Sequence, residues 1–133
     1  KMSKSYNNAI FLSDGPDRIR STVAKMITDP QRARKSDPGN PDVCNVFEFH
    51  KIYTDAKTVD KISHACRNAE IGCVECKAIM AENLIKALEP IRNKRDHYEA
   101  RPKLVDDIIT DGCNRASKVA KQTMKKVRSS IKI

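Results

Sequence analysis

The sequence predicts an all-α protein, and three observations support this. Apolar residues recur at intervals of three and four along most of the chain, which is the period of an amphipathic helix. The 133 residues include no Trp and only three Tyr and three Phe, so aliphatic side chains on amphipathic helices must form the core. Few stretches show the period-two alternation of a strand. A chain of this length is expected to form one domain, or one domain with an extension.

The charge balance predicts a polyanionic partner. Lys and Arg number 26 against 17 Asp and Glu, which gives a formal net charge of +9. A compact body with this excess attracts RNA, DNA or anionic lipid. Cysteines number five, which is odd, and no segment is typical of a signal peptide or a membrane span. We therefore expect a protein of the reducing cytoplasm without a membrane partner, rather than a secreted disulfide framework.

The first helix is expected to begin near Ser13, a candidate N-cap, with Pro16 in its first turn and Pro30 as its end. Four residues at helical spacing are predicted to line its apolar face: Ile19, Val23, Met26 and Ile27. Residues 31–40 contain turn formers and are predicted to form an exposed loop. The basic residues of this loop are Arg32, Arg34 and Lys35. They serve either solubility or contact with RNA or substrate.

The second helix is predicted to open at Asn40 and Pro41, which places Cys44 in its first turn. Its core candidates are Val43, Val46, Phe47 and Ile52. His50 is expected to be a core or interface residue rather than a ligand.

The third helix is predicted over residues 56–69. Its inward-facing residues are expected to be Val59, Ile62 and Cys66. His64 is expected to be solvated. Gly72 suits a left-handed turn after this helix.

The fourth helix is predicted to run from Cys73 to about Ala100, with a bend at Pro90 because proline removes one backbone hydrogen bond. Its core candidates are Ile79, Leu84, Leu88 and Ile91. A basic face with one stacking ring follows, formed by Arg92, Lys94, Arg95, His97 and Tyr98. Such a face either holds an unstacked RNA base or is an ordinary solvated helix surface.

Two further helices are predicted, separated by a turn at Asp111 and Gly112. The first, residues 102–110, is expected to pack Leu104, Val105, Ile108 and Ile109 inward. The apolar side of the last helix comprises Ala116, Val119, Ala120, Thr123, Met124, Val127 and Ile131. Its basic side comprises Arg115, Lys118, Lys121, Lys125, Lys126, Arg128 and Lys132, and could contact RNA phosphate. Cys113 is interpreted as a packed thiol.

Four cysteines form a candidate metal site. Cys44, Cys66, Cys73 and Cys76 are separated by twenty-one, six and two residues. Zinc sites usually offer two short ligand pairs, whereas one Cys-x-x-Cys with two distant thiols favours an iron–sulfur cluster, with zinc as second choice. A helix start at Cys73 would also favour thiolate at Cys73 and Cys76. The alternative is a set of reduced, half-buried thiols.

The chain opens with Lys1-Met2-Ser3-Lys4-Ser5, a basic loop that could fold onto phosphate. By composition alone this is also an ordinary terminus. The letters KMSKS, however, are the second signature of class I aminoacyl-tRNA synthetases. Four further stretches resemble the bacterial tryptophanyl enzymes: Ile10–Asp14, Thr28–Pro30, Asp37–Cys44 and Leu88–Arg92. The cysteine spacing resembles that of members with a four-iron, four-sulfur cluster, although the first gap is one residue shorter here.

The resemblance implies a domain organisation and a function. Residues 1–40 would supply the KMSKS loop, a linker helix and a basic loop, and residues 41–133 a helical-bundle anticodon-binding domain. The Rossmann catalytic domain would lie outside this chain, which is then expected to be a C-terminal fragment, inactive alone. The parent reaction is ATP-dependent activation of tryptophan, with Mg²⁺, and transfer to tRNA-Trp, by a homodimer.

The resemblance also implies roles for individual residues. Lys1 and Lys4 would be catalytic, stabilising charge on pyrophosphate as the adenylate forms, and Lys1, Met2, Ser3, Lys4 and Ser5 would close over ATP. The cluster ligands would be Cys44, Cys66, Cys73 and Cys76, in a structural [4Fe-4S] site that aids tRNA docking.

Three other functions compete with this one. A freestanding RNA-binding helical module with a four-cysteine zinc site would contain zinc and need no catalytic half. A redox sensor would need an exposed, reversible Cys73–Cys76 couple. The tyrosyl enzyme shares the KMSKS signature, but the cysteine pattern and the compact helical tail argue against it.

Overall fold

The structure is a computed structural model that describes Ser3, Ser5, Tyr6 and residues 8–131. Regular structure in these residues is helical throughout, which confirms the all-α prediction. The elements are α1 (Pro16–Ala24), a short 3-10 helix (Pro41–Val43), α2 (Asn45–Tyr53), α3 (Ala56–Arg67), α4 (Cys73–Glu99) and α5 (Pro102–Ile131). None of the described helices has the length and apolarity needed to cross a bilayer.

The chain divides into two compact units, residues 1–92 and residues 93–133. The core of the first unit is aliphatic with one aromatic ring, and comprises Ile19, Val23, Cys44, Val46, Phe47, Ile62, Met80, Ala81, Leu84 and Leu88. These residues come from α1, α2, α3, α4 and the residue that precedes α2. The predicted functional boundary between residues 40 and 41 stays a prediction.

Polar contacts join the helices of the first unit at its surface. Arg20 of α1 donates through Nε and Nη2 to the carboxylate of Glu82 on α4, at 2.7 and 3.3 Å. Lys77 of α4 donates to the carbonyl of Ala24 at 2.9 Å, and so satisfies a free carbonyl at the end of α1. Exposed ion pairs of this kind contribute little stability, so the buried apolar residues hold the unit together.

The first helix differs from the prediction at both ends. Its N-cap is Gly15 rather than Ser13, although Pro16 does occupy the first turn. It ends at Ala24, well before Pro30, and the chain continues as the loop that precedes α2. Ile27 therefore lies outside the helix and is 71% exposed, while Ile19 and Val23 are buried as predicted. Met26 packs against the core from the loop.

The second helix also starts later than predicted. A 3-10 turn covers Pro41–Val43, and Cys44 is the N-cap of α2 rather than a first-turn residue. The turn points Val43 to solvent, and Ile52 faces solvent too, so both core predictions are wrong, whereas Val46 and Phe47 are buried. His50 is completely buried, which confirms its assignment to the core.

The end of the third helix is a Schellman motif without glycine. Glu70 N–H donates to the Ala65 carbonyl at 2.8 Å and Ala69 N–H to the Cys66 carbonyl at 3.3 Å. The left-handed residue is Ala69, with φ of 59°, and not Gly72, so that prediction is wrong. The local hydrogen bonds hold an alanine where glycine is usual. His64 is exposed, as predicted.

The fourth helix runs unbroken through Pro90 from Cys73 to Glu99. Leu84 and Leu88 are buried, Ile79 packs against the core, and Ile91 is exposed instead of contributing to the core.

The second unit contains the last turns of α4 and a single 30-residue helix, α5, in place of the two predicted helices. Asp111 and Gly112 lie inside it, and Asp111 pairs with Arg115 one turn later at 3.0 Å. Helical hydrogen bonding on both sides outweighs the turn preference of this dipeptide. No described residue of α5 is buried, so the inward packing predicted for Leu104, Ile108 and Ile109 is wrong. Cys113 is exposed and not packed.

Candidate functional site

Three helix ends bring the four cysteines of the candidate metal site together. Cys44 caps α2, Cys66 lies in the last turn of α3, and Cys73 and Cys76 lie in the first turn of α4, as predicted for that pair. All four are free thiols. Burial raises the pKa of Cys76 to about 12, and the nearby thiols of Cys44, Cys66 and Cys73 contribute to this rise. The sulfur atoms of these three residues therefore lie close enough to Cys76 to interact with it electrostatically.

The guanidinium of Arg32 lies against two of these sulfurs. Its Nη1 is 3.8 Å from Sγ of Cys66 and 3.9 Å from Sγ of Cys73. Its Nη2 donates to the carbonyls of Lys35 at 2.7 Å and Ile71 at 2.9 Å, which fixes the orientation of the group. Burial raises the pKa of Cys66, and the charge of Arg32 opposes this rise without outweighing it. A positive charge held at this point would stabilise an anionic sulfur species. Arg32 is therefore not simply part of an exposed basic loop.

The loop before α2 closes tightly over Cys66. Gly39 N–H donates to the Cys66 carbonyl at 2.9 Å, and a Cβ at Gly39 would lie 2.6 Å from Cys66 Sγ. Asp29 shapes the same loop, because its carboxylate accepts from the amides of Gln31 at 2.9 Å and Asn40 at 2.8 Å. The amide of Asn40, then that of Gln31, holds the pKa of Asp29 below its usual range. A Cβ at position 39 would therefore force the Cys66 side chain or the loop to shift.

A buried histidine lies on the other side of the cysteines. His50 Nε2 is 3.2 Å from the carbonyl and 3.5 Å from the Sγ of Cys76. Its Nδ1 is 2.9 Å from Thr54 Oγ1, which accepts a hydrogen bond from Asn83 Nδ2 at 2.9 Å. Burial lowers the pKa of His50, so the ring is neutral near pH 7.

A zinc site of four thiolates requires closely spaced sulfurs, about 3.8 Å apart, since each lies about 2.3 Å from the metal in a tetrahedron. Across the part of the chain that the structure describes, no group of three or more His, Cys, Asp or Glu side chains is placed to hold one metal ion. The described residues therefore do not form a compact four-thiolate zinc centre.

The reactivity expected of a redox couple is also not favoured by the geometry. Cys73 and Cys76 are both half-buried. A thiol whose pKa is raised to about 12 is almost entirely protonated near neutral pH, and the thiolate is the reactive form. An exposed, exchanging Cys73–Cys76 pair would need the opposite environment.

The signature loop is described at Ser3 and Ser5. Ser3 N–H donates to Asn8 Oδ1 at 2.7 Å, and the hydroxyls of Ser3 and Ser5 lie 2.7 Å apart. Lys1, Met2 and Lys4, also predicted to contact ATP, lie outside the described residues. Their roles stay predictions.

The predicted basic faces differ in how free their charges are. Arg92 donates to the carbonyl of Ile85 at 3.1 Å, and Arg95 pairs with Glu99 at 2.5 Å, so neither is a bare cation. Tyr98 is half-exposed, with its ring edge-on to His97. On α5 a shallow groove has a row of cations along one side of the helix, formed by Lys121, Lys125 and Arg128. Their spacing of four and three places them on one face.

The contacts that Arg32, Gly39 and His50 make with the cysteines were not predicted from the sequence. Arg32 and Gly39 are respectively 34 and 27 positions before Cys66, and nothing local indicates contact over such distances. The only available signals were the position of Arg32 in a turn-rich loop and of Gly39 beside Pro38. For His50 the sequence predicted a core or interface position, and the residue is buried.

Comparison with known proteins identifies relatives of the whole chain. A family model described as tRNA synthetases class I (W and Y) matches residues 1–89. The tryptophan–tRNA ligase of Aquifex aeolicus is 43% identical over 134 residues, which cover 100% of this chain and 34% of that protein. The corresponding ligase of Thermotoga maritima is 38% identical over 134 residues, covering 100% of this chain and 41% of its own length.

Solved structures agree in fold. The tryptophanyl-tRNA synthetase of Campylobacter jejuni, crystallised with ADP and tryptophan, superposes with a TM-score of 0.85 at 23% identity, over 100% of this chain and 41% of that one. The tryptophanyl-tRNA synthetase of Aeropyrum pernix gives a TM-score of 0.58 at 32% identity, over 67% of this chain and 26% of that one. The chain thus spans about a third to two fifths of the length of the curated relatives it matches.

Proposed function

The chain belongs to the family of class I tRNA synthetases for tryptophan and tyrosine, and from that premise we propose that it is the C-terminal part of a tryptophan–tRNA ligase. The proposed reaction is ATP-dependent activation of tryptophan and its transfer to tRNA-Trp. The observation that carries this proposal is the similarity of the entire chain, from the KMSKS letters to the last helix, to proteins named tryptophan–tRNA ligase.

In this proposal the KMSKS loop closes over ATP. Lys1 and Lys4 stabilise negative charge that develops on the pyrophosphate, and Met2, Ser3 and Ser5 complete the loop. The hydrogen bond from Ser3 N–H to Asn8 Oδ1 supports a loop folded back on its own base. Mg²⁺ and the tryptophan pocket belong to the catalytic domain of the parent enzyme. Residues 1–133 alone are proposed not to aminoacylate, because they carry no Gly-rich nucleotide-binding strand.

A chimera tests the catalytic role. Residues 1–133 replace the corresponding part of the Aquifex aeolicus enzyme, and tryptophan-dependent ATP–pyrophosphate exchange is measured. Lys4→Ala should lower kcat by about a hundredfold or more, because the transition state loses the positive charge that stabilises the pyrophosphate. Lys57→Ala on the exposed side of α3 is the matched control and should have no effect. Equal loss in both variants would reject the assignment of Lys4.

The helical part is proposed to bind the anticodon region of tRNA-Trp. Support comes from the net charge of +9 and from the cations in one row on α5. The 133-residue chain should bind tRNA-Trp more tightly than a tRNA of different anticodon, at fixed salt. Equal affinities with the same salt dependence would mean nonspecific attraction to phosphate only. The parent enzyme is proposed to be a cytoplasmic homodimer.

We further propose that Cys44, Cys66, Cys73 and Cys76 hold a [4Fe-4S] cluster. Three observations support a fit to this group. The thiols of Cys44, Cys66 and Cys73 lie close enough to Cys76 to raise its pKa. Arg32 supplies a positive charge against two of them, and its buried Nε has no acceptor among the described residues. Bound, the cluster would tie the starts of α2 and α4 to the end of α3.

Metal analysis tests this site directly. The 133-residue chain, purified without oxygen, should contain about four iron and four sulfide per chain, as a [4Fe-4S] centre requires. Cys76→Ser should lose the iron and unfold at lower denaturant, whereas Cys113→Ser, an exposed thiol on α5, should keep both properties. Stoichiometric zinc without sulfide would support the RNA-binding module with a zinc site instead.

A further inference from the structure

A hydrogen-bonded chain of three side chains ends at one of the proposed ligands. Asn83 of α4 donates to Thr54, Thr54 contacts His50 of α2, and His50 contacts Cys76 at the start of α4. The ring of His50 is fully buried, so these are its polar contacts in a closed environment. The chain joins two helices through a single imidazole.

The partners fix which ring nitrogen carries the proton. The carbonyl of Cys76, 3.2 Å from Nε2, has no hydrogen to donate, so Nε2 must be the donor. In an imidazole whose single proton is on Nε2, Nδ1 is an acceptor. Thr54 accepts from Asn83 and keeps its own hydroxyl proton to donate to Nδ1 at 2.9 Å. Every donor in the chain thus faces an acceptor.

The same Nε2–H lies near Cys76 Sγ, with 3.5 Å between nitrogen and sulfur, which is within reach of a sulfur acceptor. A thiol sulfur is only a weak acceptor. Bound to iron it would be a thiolate, and a charged acceptor draws a stronger hydrogen bond. Nε2–H of His50 is therefore placed to donate to an anionic sulfur at Cys76.

We propose that His50 is a positioning residue for the sulfur site: its Nε2–H, oriented by Thr54 and Asn83, donates a hydrogen bond to the Cys76 thiolate when metal is bound. This inference rests on the proposed cluster and adds a residue that is not a ligand. Hydrogen bonds to ligating sulfur withdraw electron density and raise the reduction potential of an iron–sulfur centre. Outer partners of ligands also typically change metal affinity by about 10–100-fold.

The test compares two substitutions in the iron-loaded 133-residue chain. His50→Phe fills the space without a donor, and His50→Gln keeps an amide N–H near the position of Nε2. His50→Phe should lower the reduction potential and speed iron loss to a chelator by about tenfold or more. His50→Gln should restore both values most of the way. Thr54→Val, which removes the orienting hydroxyl, should give an intermediate shift.

Controls separate this role from simple core packing. His64→Gln, at an exposed histidine of α3, should leave potential and iron loss unchanged. A merely structural His50 would change the stability of the metal-free chain in all variants, with no rescue of the potential by Gln. Unchanged potential and iron loss in His50→Phe would overturn the inference even though wild type holds iron. Wild-type protein without iron would instead overturn the proposed cluster.

Discussion

Substitution of Gly39 by Ala is the sharpest perturbation of the cysteine pocket. The added Cβ would lie 2.6 Å from Cys66 Sγ and 3.2 Å from Cδ of Arg32. Carbon and sulfur normally approach no closer than about 3.5 Å, the usual range of non-bonded contact. Either residue 39 or the side chain of Cys66 must therefore move by about 0.9 Å, the difference between the two distances. Movement of residue 39 is restricted, because Gly39 is buried and its N–H donates to the Cys66 carbonyl at 2.9 Å.

Forced movement of this kind in a packed region typically costs about 1–3 kcal/mol. We therefore expect Gly39→Ala to lower the unfolding free energy of the metal-free chain by about 1–3 kcal/mol. Urea denaturation followed by far-UV circular dichroism measures this loss. The dependence of the unfolding free energy on urea concentration should be the same for the variant and the wild type. Gly15→Ala is the steric control, because a Cβ at Gly15 meets nothing within 4 Å. Gly15 is the N-cap of α1, where alanine is less favourable than glycine, so this variant should lose some stability, but less than Gly39→Ala.

A double-mutant cycle assigns the destabilisation to the sulfur. Cys66→Ala removes the atom that the new Cβ strikes, so Gly39→Ala should cost clearly less in that background than in wild type. Additive effects would refute the proposed clash. Equal stabilities of Gly39→Ala and Gly15→Ala would refute the close approach itself.

Three further predictions concern the Schellman turn, the loop carboxylate and the α5 charges. Ala69→Gly should raise the unfolding free energy by about 0.5–1 kcal/mol. The left-handed conformation of Ala69 costs alanine about 1–2 kcal/mol, and the greater flexibility of glycine in the unfolded chain offsets part of the gain. A loss of stability in urea denaturation would contradict this prediction. The pKa of Asp29 is lowered in the folded state, so its contribution to the unfolding free energy is present above about pH 4 and is lost as pH falls through the folded pKa. Asp29→Asn should make the unfolding free energy depend less on pH in this acid range. Parallel stability–pH curves for the variant and the wild type would contradict this prediction. Replacing Lys121, Lys125 and Arg128 by Gln should weaken tRNA binding and reduce the salt slope by about one for each cation that neutralises a phosphate, while an unchanged slope would exclude the groove from the interface.

Local pattern was a sufficient guide to the main helices of the first unit. The prediction of α4 from Cys73 to about Ala100 agrees with Cys73–Glu99 because a long run of helix formers needs little tertiary help. Prediction from local pattern was wrong where two local preferences compete. Asp111-Gly112 favours a turn, yet the helices on both sides continue through it as α5. Gly72 looked suited to the left-handed position, but the hydrogen-bond pattern at the end of α3 selects Ala69.

The helical class, the family signature at residues 1–5 and the four candidate ligands could all be predicted from the sequence, because they depend on periodicity and on residue identity at fixed spacing. The groups that surround the sulfurs could not, because they come from distant parts of the chain. Arg32, Gly39 and His50 reach Cys66 and Cys76 across 26 to 34 positions of sequence. Contacts at such separations depend on how the helices pack. A hydrogen bond or a close approach of this kind leaves no mark on the periodicity of either segment.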